Sequence, residues 1–401
     1  MKYLYNDNFE KEFKVAESEA EFKTLSYEEK GLCIDTFYSV MFGQCSPLSH
    51  SDCDPGSWYD LDLLDDLGYR TMDEQFNLSQ AIDADEIKPL TDDDLLKMFN
   101  SALNKYRIFN RKNDGYMVQP QTKEELVDII RDAIVTYGKE VDLNFIDTSK
   151  ITDMSYLFAS PFPPLFSSDY FSGYGFDNFN GNISKWDVSN VKDMSYMFLD
   201  NFEFNQPLND WDVSHVTNMY CMFGDAESFN QPLDQWDVSN VTEMENMFCG
   251  AKNFNQPLDK WNVSNVKNMS RMFAYSSFNQ PLDKWNVSNV TSMVGMFDHN
   301  KAFNQPLDKW NTKNLEDSAL MFVGANSFNQ NLSSWNSNKI SDCRGMFKDA
   351  KNFDSEIPSF DNFEFSSFAD KCKHLCLSDK YIEKHDTQSL RRVAKATKFC
   401  R

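Results

Sequence analysis

Between about residues 147 and 353 the apolar positions recur at a fixed interval while the polar residues between them vary. One turn of the pattern runs Phe204, Leu208, Trp211, Val213, Val216, Met219, Met222 and Phe223. The next runs Phe229, Leu233, Trp236, Val238, Val241, Met244, Met247 and Phe248. The tryptophans mark the beat: Trp186, Trp211, Trp236, Trp261, Trp285, Trp310 and Trp335 are 25 residues apart at every step but one. The exception, Trp261 to Trp285, is 24. A single copy of this length cannot bury so many large side chains by itself, so neighbouring copies are expected to stack and share a continuous core.

Two local predictions follow from spacing within a copy. Val188, Val191, Met194 and Met197 recur every third residue, which predicts a short helical or 3-10 turn. The Phe-Asn-Gln-Pro-Leu segment predicts a very short strand that ends near its proline, because Pro207, Pro232, Pro257, Pro281 and Pro306 carry no N–H for a ladder. The residue before the second methionine changes freely, through Tyr196, Cys221, Asn246, Arg271, Gly295, Leu320 and Gly345, and is expected to face outward.

The run Trp-Asp-Val-Ser-Asn-Val-Lys-Asp-Met-Ser-Tyr-Met-Phe at 186–198, the Phe-Asn-Gln-Pro-Leu motif from Phe204 onward, and the lead-ins at 122–126 and 146–154 together resemble one family. It is that of the BspA-like, leucine-rich-repeat-related surface proteins, including the mycoplasma-type surface domain of unknown function. The resemblance covers about residues 118 to 356. It implies an extended binding or adhesion surface at the cell surface or in secreted form, and no catalytic residues. The expected fold is an α/β repeat solenoid, a right-handed leucine-rich-repeat-like stack of about eight coils over 141–356, with an insertion at 160–175.

The flanks read differently. Residues 1–110 lack the repeat and predict a small, acidic, mostly helical domain, with helices after Ser26 and Thr91 and another over Asp60–Leu67. Residues 111–121 have linker composition. Thr122 and Glu125 form a capping box for a helix over 122–138 whose Leu126, Ile129, Ile130, Ala133 and Ile134 make one apolar stripe. That helix is placed to cover the first coil, with Gly138 at its C′ position. Residues 357–401 predict a helical C-terminal cap with a basic tail.

Charge and composition narrow the partners. A net charge of −23 disfavours nucleic acid and anionic membrane surfaces. The mean hydropathy of −0.58 and the lack of a long apolar run predict no membrane-spanning helix. Met1–Lys14 has no apolar segment of the secretory kind, so the sequence itself assigns no export route. Nine scattered cysteines predict reduced thiols.

No nucleophile, phosphate-loop or metal-hydrolase motif is present, so a non-enzymatic binding protein without cofactor or metal is expected, its ligand a protein or a surface glycan. The alternatives are an intracellular scaffold, or a targeting module that carries an effector or enzyme in residues 1–110. Candidate contact residues are Asn205, Gln206, Asn230, Gln231, Asn255 and Gln256, which either form structural amide ladders or present a periodic polar surface. Phe166, Tyr170 and Phe171 of the insertion are the aromatic candidates. Asp187, Asp212 and Asp237 are expected to cap the turns that follow them. Cys45, His50, Cys53 and Asp54, and likewise Cys372, His374 and Cys376, lack the spacing of an ordinary zinc site.

Overall fold

Turns, with single bridging residues between them, build the repeat region. The computed structural model describes residues 2–6, 11–16, 18–26, 117–160, 174–176 and 178–385, together with Lys30, Cys33, Ile34, Asp92, Asp93, Leu95, Leu96, Phe99, Asn100 and Leu103. The chain divides into two units. One comprises Met1–Val118 with Asp128–Thr136, the other Gln119–Val127 with Tyr137–Arg401.

In the first unit, β1 (Lys2–Asn6) pairs antiparallel with β2 (Lys11–Val15), with Leu4 opposite Phe13. The expectation of a mostly helical region therefore missed a hairpin. Its Tyr3-Leu4-Tyr5 and Phe13/Val15 residues are good strand formers, which the abundance of charge around them masked. Helix α1 (Glu19–Phe22) follows. Lys30, Cys33 and Ile34, and later Asp92 to Leu103 where described, are helical as the sequence predicts. Phe22 stacks on Phe99 with centroids 4.0 Å apart, and the buried Lys30 ammonium pairs with Asp92 at 2.6 Å. The expected helix at Asp60–Leu67 lies outside the described residues.

Helix α2 (Lys123–Tyr137) is shared between the units and buries Leu126, Ile129, Ile130 and Ala133 of its predicted stripe. Thr122 caps it through the Glu125 N–H at 3.2 Å, while the Glu125 carboxylate reaches the Gln121 N–H at 2.7 Å. Gly138 ends it at φ +83°, a conformation for which glycine carries no steric cost.

In the second unit, successive copies bond to each other through alternate residues. Met194, Tyr196, Phe198 and Asp200 donate their N–H groups to the carbonyls of Asn218, Tyr220, Met222 and Gly224 at 2.8–3.0 Å. Met197, Leu199 and Asn201 instead donate back three residues, to Met194, Tyr196 and Phe198, at 3.1–3.3 Å. The ladder between copies therefore shows as single parallel bridges, Asp153 to Asp193, then Asn218, Glu243, Asn268, Ser292, Asp317 and Asp342. The Val/Met spacing of three is the signature of these turns, as predicted.

The Phe-Asn-Gln-Pro-Leu segment, by contrast, is not a strand. Its ladder runs from backbone to side chain: the N–H groups of Asn230, Asn255 and Asn279 each reach the side-chain oxygen of Asn205, Asn230 and Asn255 at 2.8–3.0 Å. The amide oxygen thus substitutes for the neighbouring carbonyl that a strand would supply, and the proline N, which has no hydrogen, is left outside the ladder.

Side chains follow the same register. Phe198, Phe223, Phe248, Phe273, Phe297, Phe322 and Phe347 form one column with neighbouring centroids 5.3–5.9 Å apart. Each also stacks on the second phenylalanine of its copy, as Phe248 does on Phe254 at 4.0 Å. The tryptophan beat has a polar cause. Each buried indole N–H donates to the leucine or isoleucine carbonyl of the preceding copy, from Trp211 to Ile183 at 3.1 Å through Trp335 to Leu307 at 2.9 Å. A phenylalanine would fill the volume and leave that carbonyl without its second donor. Thr312, Ser318 and Ser337, which interrupt the apolar pattern, are buried with their hydroxyls bonded to Asn336, Asp342 and Phe360 backbone groups.

At the far end, α3 (Phe368–Leu375) and α4 (Asp379–His385) take the place of a further copy. Gly345 and Phe347 give their N–H groups to the carbonyls of His374 and Leu375 at 2.9 and 3.0 Å, as Leu320 and Phe322 give theirs to Arg344 and Met346. Tyr381 extends the second phenylalanine column, 5.9 Å from Phe353. Among the described residues no helix is long and apolar enough to cross a membrane.

Candidate ligand-binding face

Each of the seven later copies places two residues in the left-handed region, four positions apart. The first column is Tyr196, Cys221, Asn246, Arg271, Gly295, Leu320 and Gly345; the second is Asp200, Asp225, Gly250, Tyr275, His299, Gly324 and Asp349, all with φ between 52° and 70°. L-residues other than asparagine and aspartate are disfavoured there, so the two columns are held by the ladder bonds on either side of them. The first column was expected to face outward because it varies. It varies because its side chains lie outside the repeated core, yet exposure is uneven: Leu320 is 39 % exposed and Cys221 only 8 %. The glycines at 295 and 345 and the asparagine at 246 were the sequence signal for the backbone geometry.

The columns carry a different chemistry at each level. At one end Tyr156 stacks on Tyr196 at 4.3 Å, and Tyr220 meets Tyr196 edge-on at 4.9 Å, packed on Ala159, Leu199 and Cys221. Next come Asp200 and Asp225. Burial, with the Asp225 charge nearby, pushes the Asp200 carboxyl up to about 6. Burial and Glu227 raise Asp225 as well, opposed by Lys252. Gly250 accommodates this pair, since a Cβ there would lie 2.0 Å from the Asp225 carboxylate.

A folded-state pKa above the ordinary carboxylate value means that the folded chain binds more protons than the unfolded one between about pH 4 and about pH 6. Stability from this source is present below pH 4 and is lost as pH rises through 6. Asp200→Asn keeps the shape and tolerates the left-handed backbone, so at pH 7 it is expected to be more stable than the parent by on the order of 1 kcal/mol after allowance for solvent screening. Urea unfolding at pH 7 and at pH 3.5 checks this: the advantage disappears at the lower pH, and an equal advantage at both would contradict the burial of that charge.

Further along, the single 24-residue step has a structural consequence. Elsewhere two residues separate the alanine or asparagine after the second column from the next phenylalanine, as Lys252 and Asn253 do; after Ser276 there is only Ser277. The shortened loop opens a depression of about 500 Å³ lined by Lys252, Tyr275, Ser276, Ser277, His299, Lys301 and Ala302. Tyr275, 52 % exposed, lies flat on the His299 ring with centroids 4.8 Å apart and an interplanar angle of 5°. His299 Nδ1 is held 2.5 Å from the buried Asp298 carboxylate, and Lys252 pairs with Glu227. Asn300 stands where most copies have alanine and donates to the Phe278 carbonyl at 3.0 Å, as Asn201 does to the Phe179 carbonyl at 3.1 Å. Burial and then Asp298 raise the Tyr275 phenol above its ordinary value, so it is neutral at pH 7.

The sequence-derived candidates fare differently. The side-chain oxygens of Asn205 and Asn230 accept from the next copy, and Gln231 and Gln256 donate to the Asn205 and Asn230 carbonyls at 3.0 and 2.9 Å. Gln206 likewise bonds Asn180, and Asn255 accepts from Asn279. All six are thus held within the ladder. Phe166, Tyr170 and Phe171 lie outside the described residues, as do Cys45, His50, Cys53 and Asp54.

Asp187, Asp212 and Asp237 each accept the N–H two residues on at 3.0 Å, the capping expected of them. Cys372 is buried in α3 and Cys376 is exposed at its left-handed end; among the described residues no three metal-binding side chains converge. Tyr275, His299, Lys252 and Lys301 were not picked out by sequence reasoning, although the 24-residue step pointed at them.

No curated protein and no solved structure matches the chain. The family described as "Mycoplasma protein of unknown function, DUF285" matches three overlapping stretches, residues 167–277, 242–360 and 274–385, and together they span the seven later copies and the two C-terminal helices. With more than half of its length matched, the chain belongs to this mycoplasma repeat family.

Proposed function

We propose that the chain is a non-catalytic recognition protein of the BspA-like, leucine-rich-repeat-related kind, whose copies form a solenoid and whose left-handed turn columns contact the partner. The observation that carries this reading is the division of labour within each copy. Core phenylalanine, tryptophan and methionine positions repeat nearly unchanged, whereas the turn columns and the loop beside them change from copy to copy and expose large apolar groups. Phe202, Tyr275 and Leu320 are 43 %, 52 % and 39 % exposed. Stacked repeats use such a surface because it can vary without disturbing the shared core. The partner on this reading is a protein or a glycan at a cell surface.

The test compares the full chain with a Phe202→Ser, Tyr275→Ser, Leu320→Ser triple variant on an array of immobilised glycans and extracellular proteins. Saturable binding that the triple variant loses at least tenfold, with an unchanged melting temperature, is the expected outcome. Equal binding by both chains, or no saturable binding by the parent, would sink the assignment. Protease treatment of intact producing cells separates an adhesin, which is cleaved, from an internal scaffold, which is protected until lysis.

A further inference from the structure

The depression at the 24-residue step carries the recognition reading, on which this inference rests, to a ligand class. We propose that it is a subsite for one neutral sugar ring, seated on Tyr275 and hydrogen-bonded by the polar groups around it.

Three features converge there. The phenol of Tyr275 is half exposed and is stacked on His299, which is itself fixed through Asp298, so the aromatic surface is rigid before any ligand arrives. The neighbouring copy contributes Gly250 at the same column, so no side chain branches from that backbone position beside the tyrosine. The shortened loop then leaves one loop position, filled in the other copies, empty between the copies that carry Lys252 and Lys301, and Ser277 lines the depression there.

Sugar rings need this combination: an apolar C–H face against an aromatic plane, and hydroxyls met by groups that donate and accept. A volume of about 500 Å³ holds a monosaccharide and leaves an open mouth through which a chain can continue. Around it Lys252 pairs with Glu227 and His299 Nδ1 lies against the Asp298 carboxylate, and the whole chain carries −23. Lys301 makes no ion pair among the described residues, so its ammonium is free to donate to ring hydroxyls, while the net charge of −23 disfavours an anionic ligand.

Calorimetric titration of the full chain with the methyl glycosides of glucose, galactose, mannose and N-acetylglucosamine, with glucuronate as a charged control, tests the assignment. A lone ring in a shallow site is expected to bind with a Kd on the order of 1 mM. At least one neutral glycoside should saturate, and Tyr275→Ala should weaken it about tenfold or more without shifting the melting temperature. Inserting one asparagine between Ser277 and Phe278, which restores the 25-residue step and refills the empty loop position, should also abolish binding. If that variant fails to fold, Lys301→Glu reads the same rim and is expected to weaken binding about threefold or more.

Absence of saturable binding by all four neutral glycosides overturns the proposal. So does undiminished binding by Tyr275→Ala, or tighter binding of glucuronate than of every neutral ring. The array experiment stands apart from this one: a sugar-silent depression with a triple variant that still loses its partner overturns the subsite and leaves the recognition face in place.

Discussion

Trp261→Ala is expected to destabilise the repeat unit by about 3–5 kcal/mol, the usual cost of removing a large aromatic from a close-packed core. The indole is 3 % exposed and lies between Trp236 and Trp285 at centroid distances of 6.3 and 6.4 Å. Its neighbours are fixed by backbone ladders on both sides, so the structure has little freedom to collapse into the space. Trp261→Phe separates volume from hydrogen bonding. It keeps most of the ring and removes the 2.9 Å bond to the Leu233 carbonyl, for an expected loss of about 1–2 kcal/mol. Because the Leu233 carbonyl also accepts the Trp236 N–H, it is not wholly orphaned, and the loss should stay near the lower figure. Denaturant unfolding of the two variants checks the ranking, and a Trp261→Phe chain as stable as the parent would show that the hydrogen bond contributes nothing.

Gly181→Ala is the second large effect, expected at about 2–3 kcal/mol. Gly181 stands where the later copies have the glutamine of Phe-Asn-Gln-Pro-Leu, and its φ is not in the left-handed region, so conformational freedom is not the reason for it. A Cβ there would lie 2.1 Å from the Val141 carbonyl oxygen and 2.6 Å from the Phe179 ring. Backbone cannot swing aside as a flexible side-chain end can. The chain around 141–143 is tied in place by the Leu143 N–H bonded to the Asn182 carbonyl at 2.9 Å. A melting temperature within about 2 °C of the parent would show that this approach is looser than the geometry indicates.

Much of the repeat unit was legible because each residue type recurs for one reason at one place. The tryptophan period marks an indole bonded to the preceding copy, the methionine spacing marks the three-residue turns, and Asp187 and its equivalents cap the turn ahead of them. The asparagine ladder was visible as a possibility, but its partner was not. Nothing in the letters Phe-Asn-Gln-Pro-Leu says that a side-chain oxygen, rather than a carbonyl, receives the next copy's N–H, and that is why a strand was expected.

The hairpin β1–β2 was hidden by the charge around it, with Lys11, Glu12 and Lys14 flanking Phe13 in the second strand. The left-handed columns were hidden by variety: Tyr196, Arg271, Leu320 and His299 are not residues that announce positive φ, and only the glycines, the asparagine and the aspartates among them do. The depression at Tyr275 was announced by arithmetic alone, a step of 24 among steps of 25. Its chemistry depends on side chains from three copies meeting in space, which spacing along the chain does not encode.

The central claim is that the copies are bonded in register and that this bonding holds the variable turns rigid. Amide hydrogen exchange of the full chain tests it at the face itself. The Tyr275 N–H donates to the Asp298 carbonyl at 2.7 Å, the His299 N–H to Val323 at 2.6 Å, and the Asn279 N–H to the Asn255 side chain at 2.8 Å. All three should exchange slowly, the first two as slowly as the core amides of Phe273 and Phe297, because they open only when neighbouring copies separate. Rapid exchange at Tyr275 and His299, with protection confined to the core amides, would mean that the turns are not held by the ladder, and the proposed recognition face would lose its rigid support.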